Sequence, residues 1–220
     1  YDEAYCMQVQ EDGKILVAGS TGYGSDNNML FMRLNADGTL DNSFGSFGYS
    51  VINSSISYER INGIAIASNG NIVGAGYAYR SDPYWIEIAS VVMLNPSGNL
   101  VTTFGENGIV FPEWATHWSY ANDIEILNDE IYITGWIVPG YQNVFLSKMD
   151  MDGNLDASFG TNGMSSFTHN PKSNAFDLYF GFDNKIYLCG NSGALAAGGP
   201  KDILVIRYNM DGTIDNNFNE

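Results

Sequence analysis

Three carboxylates stand where acid–base chemistry is conceivable: Asp123, Glu125 and Asp177. Asp123 and Asp177 occupy equivalent positions in two alternating β-type segments. If those segments are the innermost strands of their units, the carboxylates face a central channel or the seams around it. Paired carboxylates there could run glycoside hydrolysis, with their separation deciding the mechanism. The plainer role is hydrogen bonding to backbone or channel water, and a cation held in the channel is the intermediate reading. A second candidate is the run Asp150-Met151-Asp152-Gly153-Asn154-Leu155-Asp156, which has the flavour of a calcium loop. An EF-hand loop places Gly sixth and Glu twelfth, and this run has neither. It reads more simply as a turn in which Asp and Asn hold nearby amides and Gly takes a positive φ. No cofactor is called for, and calcium is the one alternative.

The only histidines, His117 and His169, fall in separate connecting segments and read as surface residues. No Ser-His-Asp set, phosphate loop or metal-spaced Cys/His motif is present, so the sequence points away from an enzyme. Cys6 and Cys189 are too few for a disulfide framework; both sit in strand patterns and read as small buried thiols, with a bridge open only if the first and last units meet. The formal net charge is −16. That excludes nucleic acid and anionic membrane surfaces, which require basic surface. No apolar run is long enough to span a membrane as a helix. Apolar residues make up 45% of the 220, enough for a globular core. The chain starts inside a pattern, without leader or initiator Met, and reads as a processed or excised piece of a longer protein.

The elements that must position these residues repeat. The stretch Leu34-Asn35-Ala36-Asp37-Gly38-Thr39-Leu40-Asp41-Asn42-Ser43-Phe44-Gly45 returns around Gly98, Gly153 and Gly212, at spacings of about 55 to 60 residues. A period of this order marks a repeat architecture whose units bury their apolar faces on one another. The units are about 1–52, 53–111, 112–167 and 168–220. Within each, period-2 alternation and turn signals give strands A, B, C and D, and no segment has helical period. The A strands are expected at 4–10, 61–67, 121–127 and 175–181, and the B strands at 14–19, 71–76, 131–135 and 185–190. The C strands follow at 29–34, 88–94, 144–149 and 203–208, and the D strands at 48–52, 108–111 and 163–167; unit four stops before its D strand. Every B strand ends in glycine (Gly19, Gly76, Gly135, Gly190), which signals close backbone approach. The fold class is all-β, a β-propeller of four-stranded antiparallel blades.

The combination Lys-Ile-(apolar)-Ala-Gly followed by Arg-Leu-Asn-Ala-Asp-Gly-Thr-Leu-Asp-Asn-Ser-Phe-Gly resembles the delta-60 repeat of bacterial β-propeller proteins, across essentially the whole chain. The resemblance implies a propeller from a large secreted or cell-surface bacterial protein and brings no catalytic activity. Unit two departs from the pattern. Arg33, Lys148 and Arg207 lie eight residues before Asp41, Asp156 and Asp215, but unit two has Met93 and Val101. We expect an ion pair tying strand C to its turn, exchanged in unit two for an apolar contact. Unit two also has Ser97 in place of Asp37, Asp152 and Asp211.

The A–B and C–D turns share one face of such a blade and are uniform. The B–C and D–A connections share the other face and vary, as binding loops do. That face collects Tyr79, Tyr84, Trp85, Trp114, His117, Trp118, Trp136 and Tyr141. Exposed rings there suit stacking on a glycan or anchoring a protein partner; buried rings would merely cap the blade ends. The expected function is a non-catalytic extracellular scaffold binding protein or glycan on this face. A structural envelope module and a carbohydrate-active enzyme are the alternatives. Three completions of the ring stay open: further segments of a longer chain, a second copy, or four blades with an imperfect last one.

Overall fold

A computed structural model describes residues 1–22, 27–54, 57–80, 86–115, 117–194 and 199–218. Blade one is β1 (Asp2–Val9), β2 (Ile15–Thr21), β3 (Asn28–Leu34) and β4 (Tyr49–Ile52). Blade two is β5 (Ser57–Ile66), β6 (Ile72–Arg80), β7 (Ile86–Leu94) and the two-residue β8 (Ile109–Val110). Blade three is β9 (Ser119–Leu127), β10 (Glu130–Ile137), β11 (Asn143–Asp150) and β12 (Met164–Phe167). Blade four has β13 (Lys172–Phe180), β14 (Lys185–Gly193) and β15 (Lys201–Asn209), and no fourth strand among the described residues. Each blade is an antiparallel meander in sequence order. The all-β blade architecture is thus the one the repeats call for.

The first strands of the blades pack in series, β1 on β5, β5 on β9, β9 on β13. All four carry the same irregularity. The ladder to the second strand slips by one residue at Tyr5, Asn62, Asn122 and Phe176. Beside each bulge the backbone folds over the glycine that closes strand B in the sequence. A Cβ on Gly19, Gly76, Gly135 or Gly190 would overlap the carbonyl oxygen of Glu3, Arg60, Tyr120 or Asn174 respectively. The four glycines therefore mark close backbone approach. Beyond them the hairpins continue further than the expected boundaries: β6 runs to Arg80 and β10 to Ile137. Tyr79 and Trp136 thus lie on strands, not in loops, because the ladder resumes once the bulge has absorbed the extra residue.

Three apolar clusters fill the three seams. Phe31 of blade one packs with Ile61, Ile64 and Ile72 of blade two. Val91 and Phe104 of blade two pack with Ala121, Ile124 and Ile131 of blade three. Leu146 and Phe159 of blade three pack with Leu178, Ile186 and Leu188 of blade four. No blade has a core of its own on both faces; each is stabilised by its neighbours.

The expected ion pairs are present. Arg33 Nε lies 2.7 Å from Asp41 Oδ2, Lys148 Nζ 2.8 Å from Asp156 Oδ2, and Arg207 Nη2 2.8 Å from Asp215 Oδ2. A further cation or carboxylate joins each: Lys14 reaches Asp41 at 3.0 Å, Lys185 reaches Asp215 at 3.1 Å, and Glu130 reaches Lys148 at 2.6 Å. In blade two Met93 is buried in the seam cluster with Val101 against it, and Asn71 stands where blades one and four have lysine. The exchange is of the whole network.

Candidate functional site

The variable face holds a cluster of contacting aromatic side chains and several exposed rings. The cluster crosses the seams of blades one to three. The Arg60 guanidinium at the start of β5 lies 4.0 Å from the centre of the Tyr5 ring and 5.1 Å from that of Tyr77. Arg60 Nε donates to Asn62 Oδ1 at 2.6 Å. The Tyr77 ring meets Tyr120 at 4.2 Å, and Tyr120 stacks on Trp136 at 4.3 Å and 23°. The Tyr5 hydroxyl donates to Glu3, and the Tyr120 hydroxyl bonds Glu87. Burial, reinforced by Glu87, drives the Tyr120 phenol far above its ordinary pKa, and burial raises Tyr77 as well. Offset stacks and an arginine over a ring each contribute about 0.5–2 kcal/mol, so this cluster is rigid.

Further rings are exposed in the connecting segments. Trp118 is 47% exposed and Tyr141 58% exposed, both in blade three. Val138 N–H donates to the Trp118 carbonyl at 2.8 Å, which ties the two connections together. The Tyr141 segment is pinned to blade four by Ser173 N–H to the Gln142 carbonyl at 2.7 Å. Tyr58 is also exposed and meets Tyr79 at 6.0 Å. The remaining expected residues divide. Trp114 turns inward, meets Phe145 at 4.6 Å with the rings tilted by 51°, and donates from Nε1 to Ser147 Oγ at 3.1 Å. It belongs to the seam core and not to a binding surface, because its ring packs against the cluster that holds Phe145. Trp136 and Tyr79 are half-buried; His117 is exposed. Tyr84 and Trp85 lie outside the described residues. Tyr5, Tyr58, Arg60, Tyr77, Glu87 and Tyr120 were not singled out by the sequence. Their signal was that each flanks a bulge or a strand end on the variable face.

The inner carboxylates are brought together. Asp123 and Asp177 share a hydrogen bond, and Asp123 Oδ2 also accepts Leu178 N–H at 2.8 Å. Burial first, and the neighbouring Asp177 charge second, raise the Asp123 carboxyl above its ordinary range. Glu125 is raised for the same two reasons. Asp123 thereby joins blade three to the backbone of blade four. Cys189 Sγ lies 4.0 Å from Asp177 Oδ2 and is exposed, in contrast to the buried thiol its strand pattern suggests, because the blade-four face around it is uncovered. Cys6 is largely buried, its thiol pushed up to about 12 by that burial; both cysteines are free.

The acidic turns are occupied by their own backbone. Asp150 Oδ1 accepts Asp152 N–H and Asn154 N–H at 2.9 and 2.8 Å, and Asp37 and Asp211 accept the N–H and Oγ–H of Thr39 and Thr213. Among the described residues no group of three or more His, Cys, Asp or Glu side chains converges on one point.

Residues 10–44 and 183–218 match the family model described as a domain of unknown function (DUF5122) beta-propeller. No curated protein matches the chain. Among solved structures, a Bombyx mori GH32 beta-fructofuranosidase, a mutant in complex with sucrose, is 12% identical with a TM-score of 0.48. That likeness covers 94% of this chain and 47% of the other, so the chain spans about half the length of the enzyme it resembles.

Proposed function

We propose that this β-propeller is a non-catalytic extracellular binding module from the bacterial cell surface or secretome, and that its ligand is a glycan held on the variable face. The observation that carries the proposal is the exposure of Trp118 and Tyr141 in the connections of blade three, the blade that also contributes Tyr120 and Trp136 to the aromatic cluster. A sugar ring needs a fixed apolar platform and polar groups at its edge, and rings with few rotatable bonds provide the platform at low entropic cost. Polar residues adjoin the two rings in sequence, His117 before Trp118 and Gln142 after Tyr141.

Glycoside hydrolysis by the inner carboxylates is the less supported reading. Asp123 is engaged by Leu178 N–H and Asp177, whereas hydrolysis needs the two carboxyls apart, on either side of the scissile bond.

The test is an oligosaccharide array followed by titration calorimetry with each hit. Trp118→Ala and Tyr141→Ala should weaken binding by about 10-fold or more, with unchanged melting temperature. Absence of any glycan hit, or hits indifferent to both substitutions, would overturn the reading. Capture of a protein ligand through the same two residues would replace the glycan with a protein partner.

A further inference from the structure

Among the arginines whose side chains are described, Arg60 is the one that no carboxylate holds. Arg33 and Arg207 lie 2.7 and 2.8 Å from Asp41 and Asp215. Arg60 Nε donates instead to Asn62 Oδ1 at 2.6 Å, and the guanidinium also bonds the Tyr5 hydroxyl. Its other N–H groups meet no acceptor among the described residues. Acids outnumber Lys and Arg by 25 to 9 in this chain. A half-buried guanidinium without a counter-ion is therefore not explained by a shortage of carboxylates, and its burial is unfavourable until it is paired. Two carboxylates of the same cluster are committed to phenols: Glu3 to the Tyr5 hydroxyl and Glu87 to the Tyr120 hydroxyl.

Blade two has a blade on each side, and the rings around Arg60 come from all three. Tyr5 of blade one and Tyr77 of blade two touch the guanidinium, and Tyr120 of blade three packs against Tyr77. A guanidinium on aromatic rings still presents its planar fork of N–H donors, which matches a carboxylate through two parallel hydrogen bonds. The backbone that delivers it is strained. The ladder between β5 and β6 slips between Ser57 and Arg60, which sets Arg60 opposite Tyr77. Within that slip Tyr58 has a φ of 54°, a left-handed conformation that bulky residues rarely adopt. Strain of this kind is held in place by its surroundings and clusters at binding sites.

We propose that Arg60 is the anion-recognition residue of the variable face, and that it takes the carboxylate of an acidic sugar, a uronic acid within the bound glycan. This rests on the glycan reading above and names the class of glycan. The carboxylate pairs with the unused N–H groups of Arg60 while the sugar ring packs on the adjoining tyrosines. Net charge narrows the class further. At −16 the chain repels a polyanion, whereas at physiological ionic strength a single carboxylate senses charges only within about 8 Å. The fitting ligand is a largely neutral glycan with one uronic acid at the point of contact.

The experiment has two arms. In the first, the arginine Nε–H signals of the wild-type chain are followed by NMR as glucuronate, glucose or methyl sulfate is added at constant ionic strength. The Arg60 signal is the one lost in both Arg60→Gln and Arg60→Lys. It should shift with glucuronate and stay still with glucose. A signal unmoved by glucuronate, or moved by methyl sulfate alone, would overturn the proposal whatever oligosaccharides bind. In the second arm, titration calorimetry compares neutral oligosaccharides with the same chains ending in glucuronic acid. The acidic member should bind about 10-fold more tightly, and Arg60→Gln should erase that difference. Arg60→Lys keeps the charge, loses the fork and should retain only part of it; thermal melting checks that both variants fold. No preference for the acid, or a preference intact in Arg60→Gln, would overturn the proposal and leave a glycan site dependent on Trp118 and Tyr141. A shift in the first arm with no oligosaccharide bound in the second would overturn the glycan reading and keep the carboxylate site at Arg60.

Discussion

The ion pair of blade one can be exchanged for the residues of blade two with two substitutions, Arg33→Met and Asp41→Val, which leave Lys14 where blade two has Asn71. Both wild-type side chains are buried, and Arg33 also donates from Nη1 to the Pro96 carbonyl at 2.7 Å. Asp41→Val leaves two cations, Arg33 and Lys14, without their shared carboxylate, and should cost about 2–3 kcal/mol. Arg33→Met leaves Asp41 with Lys14 at 3.0 Å and with Ser43, so about 1–2 kcal/mol is expected. The double variant rebuilds the Met93–Val101 contact of blade two. It should cost less than the sum of the singles, with a coupling of about 1–2 kcal/mol. The Ser43 hydroxyl and the lysine and arginine hold the Asp41 carboxyl well below the usual carboxylate range. Its contribution is therefore present at neutral pH and lost as pH falls below the unfolded value near 4, and Asp41→Val should flatten that acid limb. Urea unfolding followed by tryptophan fluorescence, at neutral pH and near pH 3, reads both quantities. Additive singles, or an acid limb unchanged in Asp41→Val, would refute the reasoning.

Asp123 has the opposite sign. Its raised carboxyl takes up a proton more readily when folded, so stability falls as pH rises from 3.8 to about 7. Asp123→Asn should raise the free energy of unfolding at pH 8 by about 1–2 kcal/mol more than at pH 4, and equal changes at both would count against the raised carboxyl. Gly135→Ala places a methyl on the Tyr120 carbonyl and should cost about 2–3 kcal/mol in chemical unfolding; a neutral result would mean the bulge relaxes freely. Trp114→Ala should cost about 3–5 kcal/mol as a core truncation, whereas Trp118→Ala should stay within about 0.5 kcal/mol, and comparable losses would erase the distinction between core and face.

Much of the architecture was legible because it is periodic. The turn motif around Gly38, the glycines closing the B strands and the paired loss of Arg33/Asp41-type residues in unit two are local patterns repeated along the chain. They correctly anticipated blades, close backbone approach and ion pairs. The division of the aromatic residues was not legible. Trp114 and Trp118 are four residues apart in one connection, yet one fills the seam and the other faces water. That outcome depends on where Phe145 and Ser147 of β11 lie. Arg60, Tyr5, Tyr77 and Tyr120 come from three blades and meet only because consecutive blades stack.

The sequence by itself determined the repeat, the strand order within each blade and the pairing of charges, since these are written in spacing and alternation over a few residues. Only the tertiary structure decided which rings are platforms, that Asp123 and Asp177 share a hydrogen bond, and that Arg60 lies against Tyr5 and Tyr77 with no carboxylate paired to it among the described residues. Those properties belong to contacts between blades, and a position's own side chain does not specify what its neighbour brings to the seam.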